Sequence, residues 1–263
     1  MRILLLALAA LTPAASQRAA DLTGVEKTGV LRVLCVLVED EPEFFADRPG
    51  LPPGFDREIL EGYARLHKLK LEVVRETNWD GLVPALIEGK GDVIAGRFTA
   101  TESRRKRIAF TSETFPTRTV VISRKPRLPV STREQLAQEK IGIVRGTSLA
   151  ETAGDLHLAR GSVDDHIPSG GLPEALRSGR ITCGIDELAG AVILKRHDPD
   201  VQIGMLLGAP GSYAFGVRPE DKALLASLDE YIDNLRKTST WNRLVVKYFG
   251  EAAPEVLRKA RTE

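Results

Sequence analysis

An alternation of strand-like apolar runs with amphipathic helical segments constrains the fold of this chain more than any other feature. Residues 30–38 form a nearly continuous apolar run rich in β-branched side chains, which is typical of a strand covered on both faces. Helical segments at 55–67 and 79–88 then alternate with strand-like segments at 69–74 and 92–95. Because crossovers between parallel strands are right-handed, this β-α-β-α-β order predicts a parallel sheet flanked by helices.

A second unit of the same kind begins after the proline-containing segment 126–129. Residues 131–134 resemble a helix capping box that starts at Ser131 and ends at Glu134. Further strands are predicted at 140–144, 181–185 and 201–207, and further helices at 149–153, 173–179 and 187–195. The second half of the chain therefore also predicts an α/β layer structure.

Two apolar, β-rich runs flank the second unit, at 119–124 and 213–217, and are candidates for strands that cross between two lobes. Amphipathic helices predicted at 222–235 and 240–249 follow, and we expect them to return to the first lobe. The predicted fold class is α/β, with two lobes joined by two crossing strands and a cleft between them. We assign residues 22–119 and 217–263 to lobe 1 and residues 120–216 to lobe 2.

The N-terminal residues have the composition of an export signal. Met1 and Arg2 give a short positive start, residues 3–11 are apolar without interruption, and residues 14–16 are small. We therefore predict a cleaved signal peptide at 1–16 and a periplasmic mature chain. A membrane anchor is the alternative, but the apolar run is shorter than the roughly 20 residues that span a bilayer.

Charge and cysteine content argue against several classes of protein. Lysine and arginine number 37 against 36 aspartates and glutamates, so the formal net charge is +1 and offers no general attraction to nucleic acid. Two cysteines and four scattered histidines do not supply a recognisable zinc site, and we expect neither metal nor cofactor. We predict that Cys35 and Cys183 are separate buried thiols, although an oxidising compartment would join them if they were neighbours.

A series of short motifs follows along the chain. They are GVLRV at 29–33, GFDREI at 54–59, WDGLVPAL at 79–86, GKGDVI at 89–94, TATESR at 99–104, FT at 110–111, GTS at 146–148 and the closing segment 241–250. Together they resemble the family 3 extracellular solute-binding proteins, the periplasmic amino-acid-binding components of ABC importers. The resemblance covers essentially the whole mature chain. It implies a type II periplasmic-binding-protein fold, hinge closure on a small carboxylate ligand, and a membrane ABC permease as partner.

The resemblance also implies which residues hold the ligand carboxylate. Arg104 occupies the position of a carboxylate clamp, for which the planar guanidinium fork is well suited. Thr99 occupies the position of a helper hydroxyl. Thr147 and Ser148 stand at the start of a predicted helix, where free N–H groups and the helix dipole favour an anion.

Two further residues match the remainder of an amino-acid site. Asp186 matches the acid that accepts the ligand ammonium, and Trp79 matches the aromatic wall of the side-chain pocket. Each candidate also has an ordinary structural role. Arg104 belongs to a basic run typical of a solvated face, Asp186 is placed to cap the next helix, and Trp79 is placed in a helix core. Thr147 and Ser148 are equally typical helix N-caps.

Some residues of the predicted cleft differ from those usual in the family, and these differences bear on the identity of the ligand. Family members usually carry an aromatic residue two positions before Pro42, where this chain has Asp40 followed by Glu41. A small or hydroxyl residue usually stands two positions before Thr99, where this chain has Arg97. An extra arginine in the cleft would favour a second ligand carboxylate, whereas Asp40 or Glu41 would neutralise Arg97, and a third option is an Arg97 that points into solvent. We expect a polar or acidic amino acid as the ligand.

Two other functions remain open. The cyclohexadienyl dehydratases resemble the same fold, and Glu187 beside Asp186 is the extra acid such an enzyme would use, although those enzymes place an acid where this chain has Ala189. An accessory or sensor protein serving a periplasmic partner is the other alternative. We expect a monomeric, non-enzymatic binding protein without a fused transglycosylase or kinase domain.

Overall fold

The computed structural model describes residues 21–38, 41–155 and 162–262. The predicted signal peptide at 1–16 and the candidate Asp40 lie outside these ranges. The strands are β1 (Val30–Cys35), β2 (Lys70–Arg75), β3 (Val93–Ile94), β4 (Ala109–Phe110), β5 (Phe115–Arg124), β6 (Ile141–Val144), β7 (Val163–Ile167), β8 (Cys183–Glu187), β9 (Val201–Tyr213) and β10 (Gly216–Val217).

Helices cover both sheets, and most of them lie at positions that the apolar periodicity predicts. They are α1 (Asp21–Thr28), α2 (Phe55–Leu66), α3 (Trp79–Ile87), α4 (Glu102–Arg105), α5 (Arg133–Leu136), α6 (Leu149–Asp155), α7 (Leu172–Arg177), α8 (Leu188–His197), α9 (Lys222–Arg236), α10 (Ser239–Phe249) and α11 (Ala253–Arg261). None of the helices in the described ranges is both long enough and apolar enough to cross a membrane.

The first sheet has the strand order β2-β1-β3-β10-β4. Strands β1, β2 and β3 are parallel, as the β-α-β-α-β pattern predicts, and β1 is buried in the centre between its two partners. Strand β10 returns late in the sequence and pairs antiparallel with β3 and β4. The first sheet therefore contains one strand from the far end of the chain.

The second sheet has the strand order β7-β6-β8-β5-β9. Strand β6 is parallel to β7 and β8, whereas β5 is antiparallel to β8 and β9. The α/β class and the two-lobed architecture predicted from the sequence are thus confirmed. The chain enters this sheet after β4 and leaves it between β9 and β10, where Tyr213 pairs with Phe115 and forms an isolated bridge to Thr99.

The C-terminal helices divide between the two sheets. Helices α9 and α10 pack against α2 in the first lobe, as expected. Helix α11 instead packs against β5, β9 and α8 of the second sheet, although the sequence placed all of 217–263 in lobe 1. The apolar face of α11, which includes Val256, covers that sheet, so this helix departs from the predicted lobe assignment.

The capping box before α5 lies one residue later than predicted. Thr132, not Ser131, is the N-cap, and its hydroxyl oxygen accepts the N–H of Gln135 while the Gln135 side chain accepts the N–H of Thr132. Glutamine serves as well as glutamate at this position because both carry an acceptor oxygen of the same reach.

The main hydrophobic core runs from the first sheet onto one face of the second, and a smaller cluster covers the opposite face of the second sheet. Val120 and Ile122 belong to the main core and Val121 to the smaller cluster, as the alternation of side chains along a strand requires. Cys35 and Cys183 lie in these separate clusters as free, buried thiols, as predicted.

Candidate functional site

A cavity between the two sheets brings the predicted site residues together. Its lining includes Trp79, Arg97, Thr99, Arg104, Thr147, Ser148 and Asp186, together with Glu41, Val144, Leu149, Gly170, Leu172, Pro173, Glu187 and Leu194. Arg104 and Asp186, which come from different lobes, therefore face one crevice. All of the predicted site residues in the described part of the chain line this cavity.

Arg104 is positioned by neutral groups of the described residues. It lies in α4, where the Thr101 hydroxyl accepts its N–H at 3.3 Å. Its Nη1 donates to the carbonyl oxygen of Thr99 at 2.8 Å, and its guanidinium lies 4.1 Å from the ring centroid of Phe98. Among the described residues no carboxylate forms an ion pair with it, and burial lowers its pKa. Such a group can receive an anion through two parallel charge-assisted hydrogen bonds.

The rest of the basic run behaves as sequence reasoning expects of a solvated face. Arg105, Lys106 and Arg107 are exposed, whereas Arg104 is partly buried against Phe98. The run therefore contains one inward-facing arginine and three outward-facing basic residues.

Glu187 is fixed by two hydroxyl groups. Thr99 donates to Glu187 Oε1 at 2.6 Å, and the Tyr213 hydroxyl donates to Oε2 at 2.9 Å. Burial raises the pKa of Glu187, and these hydrogen bonds partly offset that rise by stabilising the carboxylate. The hydroxyl of Thr99 is thus committed to a carboxylate of the opposite lobe, and Tyr213 is a site residue that sequence reasoning missed.

Asp186 is buried near the end of β8, and its Oδ1 accepts the N–H of Glu187 at 2.7 Å. The N-cap of α8 is Glu187, which makes no capping bond through its side chain. Burial raises the pKa of Asp186, and the nearby Arg97 opposes the rise. The helix-capping role considered for Asp186 is therefore not the one the geometry shows.

Arg97 projects into the cavity rather than into solvent. Its Nη1 contacts Glu41 Oε2 directly and lies 3.9 Å from Asp186 Oδ1, with only 11% of the side chain exposed. Burial raises the pKa of Glu41 to about 7, an effect that Arg97 only partly opposes. Of the alternatives drawn from the sequence, neutralisation of Arg97 by Glu41 is the one observed.

Trp79 and the loop before α6 bring the two lobes into contact. The Trp79 indole Nε1 donates to Ser169 Oγ at 3.1 Å, and its ring centroid lies 5.9 Å from the Arg97 guanidinium carbon. Gly146 has a φ of +73°, and a Cβ there would lie 2.7 Å from the Asp80 carboxylate, so both the backbone and the contact between the lobes favour glycine. Trp79 therefore combines the predicted cavity wall with an inter-lobe hydrogen bond.

Thr147 and Ser148 differ in how they could meet an anion. The Thr147 hydroxyl donates to the Val144 carbonyl at 2.7 Å and so closes its own turn. The N–H of Ser148 has no acceptor within the described part of the chain, and α6 begins at the next residue. Ser148 is thus the better placed of the two to donate to a bound anion.

Two α/β lobes around a cleft lined by buried charged side chains define the class of two-lobed solute-binding proteins. The sequence model of the bacterial extracellular solute-binding proteins, family 3, matches residues 33–251. This chain belongs to that family.

Two of the similar proteins are binding proteins, which agrees with this assignment, and others are transglycosylases. A probable histidine-binding protein of Campylobacter jejuni is 27% identical over 199 residues, which cover 74% of this chain and 76% of that protein. The crystal structure of a mutant of ArgBP from T. maritima has a TM-score of 0.77 and 27% identity, and the match covers 87% of this chain and 99% of that one.

The membrane-bound lytic murein transglycosylase F of Pseudomonas fluorescens is 25% identical over 240 residues, or 89% of this chain and 49% of that protein. The chain spans about half the length of the transglycosylases that it matches.

Proposed function

We propose that this protein captures a small carboxylate solute in its cleft by hinge closure and delivers it to a membrane ABC importer. The observation that carries the proposal is Arg104, a partly buried guanidinium that lines the cleft without an ion-pair partner among the described residues. Family membership and the relatives named as histidine-binding and ArgBP support a solute of amino-acid size. We also propose that residues 1–16 are removed on export and that the mature protein is periplasmic.

Closure follows from the distribution of contacts over both lobes. A ligand that first binds Arg104 would gain contacts with the Ser148 N–H and its surroundings only when the lobes approach. Binding then shifts the population toward the closed form, which a permease can distinguish from the open form by shape. The Trp79–Ser169 and Thr99–Glu187 hydrogen bonds between the lobes fit such a closed form.

Arg104→Ala tests the proposal. A thermal-shift panel of the common amino acids, small dicarboxylates and 2-hydroxy acids first identifies the ligands of the wild-type protein, because a ligand of the native state raises its apparent stability. Calorimetry with those ligands should show a loss of affinity of about 100-fold or more in the variant, since a charge-assisted bidentate contact is removed.

Arg105→Ala is the matched control, because it removes an exposed arginine from the same helix. It should leave affinity unchanged. Arg104→Lys should bind weakly, since it keeps the charge and loses the fork. Equal affinity of wild type and Arg104→Ala would refute the clamp.

The second candidate function is that of an accessory or sensor protein that binds a solute and regulates a periplasmic enzyme. The similarity to about half of each transglycosylase favours this function. The same ligand would then act as a signal rather than as cargo. Deletion of the gene should in that case alter the partner's activity and leave solute uptake unchanged. A dehydratase activity is less well supported, because both carboxylate oxygens of Glu187 already accept hydrogen bonds from hydroxyl groups. Incubation with prephenate or arogenate tests it directly.

A further inference from the structure

The charged groups of the cavity are unequally satisfied. Glu187 accepts two hydroxyl hydrogen bonds, and Glu41 and Asp186 share the Arg97 guanidinium. Within the described ranges, neither Glu187 nor Arg104 forms an ion pair, but Arg104 is the cation of the two and its printed hydrogen bond goes to a backbone carbonyl. Arg104 is therefore the cation of the lining that no acid pairs within the described ranges, and it is the group left to bind an anionic ligand.

The backbone and the guanidinium of Arg97 are each held by a separate part of the fold. Its backbone adopts a φ of +51°, and Asp56, which is fully buried, accepts the N–H groups of Gly96 and Arg97 at 3.0 and 2.8 Å. At the other end, Gly190 leaves the room for the guanidinium, because a Cβ there would lie 2.4 Å from Arg97 Nη1. A left-handed conformation at a non-glycine residue needs such support.

The volumes of two cavities beside Arg104 also bear on where a ligand can lie. The cavity that Arg97 and Asp186 line, together with Arg104, leaves only about 30 Å³, enough for a water molecule. A second cavity leaves about 460 Å³, shares Trp79, Arg104 and Thr147 with the first, and is not lined by Arg97 or Asp186. A ligand bound to Arg104 therefore has more room in the second cavity than beside Asp186.

An α-amino acid would fit this arrangement poorly. Its ammonium group is one carbon away from the carboxylate, so it would enter the cavity that both Arg104 and Arg97 line. Both are cations, and the acids that could accept the ammonium are already engaged. Burying a charge beside like charges without a partner is strongly unfavourable.

We propose that the Arg97 guanidinium takes the place of a ligand ammonium group, so that the cleft selects small carboxylic acids without an amine on the α-carbon. This inference rests on the proposed function and deepens it, because it names the chemical class of the solute. Arg97 acts on specificity through Glu41 and Asp186, whereas Arg104 binds the carboxylate.

The test compares pairs of acids that differ only in the α-substituent. Suitable pairs are L-alanine with L-lactate, L-glutamate with 2-hydroxyglutarate, and L-phenylalanine with 3-phenyllactate. Calorimetry on the wild-type protein should show at least about tenfold tighter binding of the hydroxy acid in the pair whose side chain fits.

Arg97→Asn should reverse this preference. Asparagine tolerates the left-handed backbone but is too short to reach Glu41, so a ligand ammonium would now be needed to neutralise Glu41 and Asp186. Arg105→Asn, an exposed arginine in α4, is the matched control and should keep the wild-type preference. Gly190→Ala should weaken the preference in the same direction, because it displaces the guanidinium without altering the backbone at Arg97.

The outcomes separate the two proposals. If the wild-type protein binds the amino acid of a pair as tightly as the hydroxy acid, and Arg104→Ala abolishes that binding, the proposed function stands and the present inference is overturned. If no member of any pair binds, both are contradicted. If circular dichroism shows that Arg97→Asn is unfolded, the wild-type ratio and Gly190→Ala decide the question.

Discussion

Asp56 and Arg97 form a chain of buried polar contacts that begins in the core and ends in the cleft. The Asp56 carboxylate fixes the backbone at Arg97, and the Arg97 side chain then reaches Glu41 and Asp186. Burial raises the pKa of Asp56 to about 6, although both of its hydrogen bonds from backbone N–H groups oppose the rise. Buried ionisable groups of this kind are retained at functional sites more often than in ordinary cores.

Glu41→Gln should reduce the dependence of stability on pH. Burial raises the pKa of Glu41 from 4.5 to about 7, so the folded protein binds this proton more tightly than the unfolded chain does. The stability contributed by this group is present below pH 4.5 and is lost as the pH rises through about 7. Thermal unfolding measured at pH 5 and pH 8 should show a smaller loss of Tm over this interval in the variant than in wild type.

Glu72→Gln is the control for this measurement, because Glu72 is exposed on β2. It should retain the wild-type difference in Tm. The same difference in Glu41→Gln and in wild type would show that Glu41 does not titrate in this range.

Sequence reasoning located the cavity residues that lie in local motifs and failed where a role depends on distant neighbours. Arg104 and Thr99 follow from the short motif at 99–104, and Asp186 follows from its position after the predicted strand at 181–185. The direction of Arg97 could not be chosen among three alternatives, because it depends on Glu41 from another loop and on the absence of a side chain at Gly190. Tyr213 carried no signal, since its role arises only when β9 meets Thr99 and Glu187.

Among the elements, α11 makes a contact that periodicity alone could not assign to a lobe. Its buried residues are Ala253, Val256 and Ala260, and the carbonyl oxygen of Thr262, just after the helix, accepts a hydrogen bond from Arg118 of β5 at 2.6 Å. An amphipathic helix shows which of its faces is buried but not which sheet covers that face. The helix therefore ties the C-terminal region to the second sheet.

Val256→Asp should destabilise the protein by about 3 kcal/mol or more, because it places a charge in the buried contact of α11 with the second sheet. Denaturant unfolding would measure the change. Arg258→Asp introduces the same residue at an exposed position of the same helix and should have a much smaller effect. Equal effects of the two substitutions would indicate that α11 does not pack on the sheet.

Strand limits were predicted less well than strand positions. The apolar run at 201–207 predicted a short strand, but β9 continues to Tyr213 through Gly208, Pro210 and Gly211. Pairing with β5 over this length outweighs the local preference of those residues for turns. Long-range pairing of this kind is not visible in local composition.

At the scale of the whole molecule, hydrogen bonds at the edge of the cleft complement the buried contacts inside it. The hydroxyls of Thr101 and Ser103, which flank the start of α4, donate to the Glu151 carboxylate on α6. Ser103 and Glu151 are exposed, so these contacts add little to stability. In the proposed hinge closure, they would affect mainly the balance between open and closed forms.

Glu151→Ala should therefore weaken ligand binding by about two- to fivefold, since exposed polar contacts contribute on the order of 0.5–1 kcal/mol. The folded state should keep its Tm without ligand within about 2 °C. Calorimetry and thermal unfolding would measure the two effects, with Glu230→Ala, exposed on α9, as the control. A large loss of Tm without any change in affinity would contradict this role.

Tyr213 stands where the chain leaves the second sheet, and its ring reaches the wall of the cavity through Glu187. In the proposed closure, a twist of the ribbon formed by β5 and β9 would move this phenol relative to Thr99, and a solute beside Glu187 would alter the polarity around it. Lobe movement and solute binding would thus both change the surroundings of the Tyr213 phenol. Near-ultraviolet absorbance of this tyrosine would record capture of a solute without any attached dye.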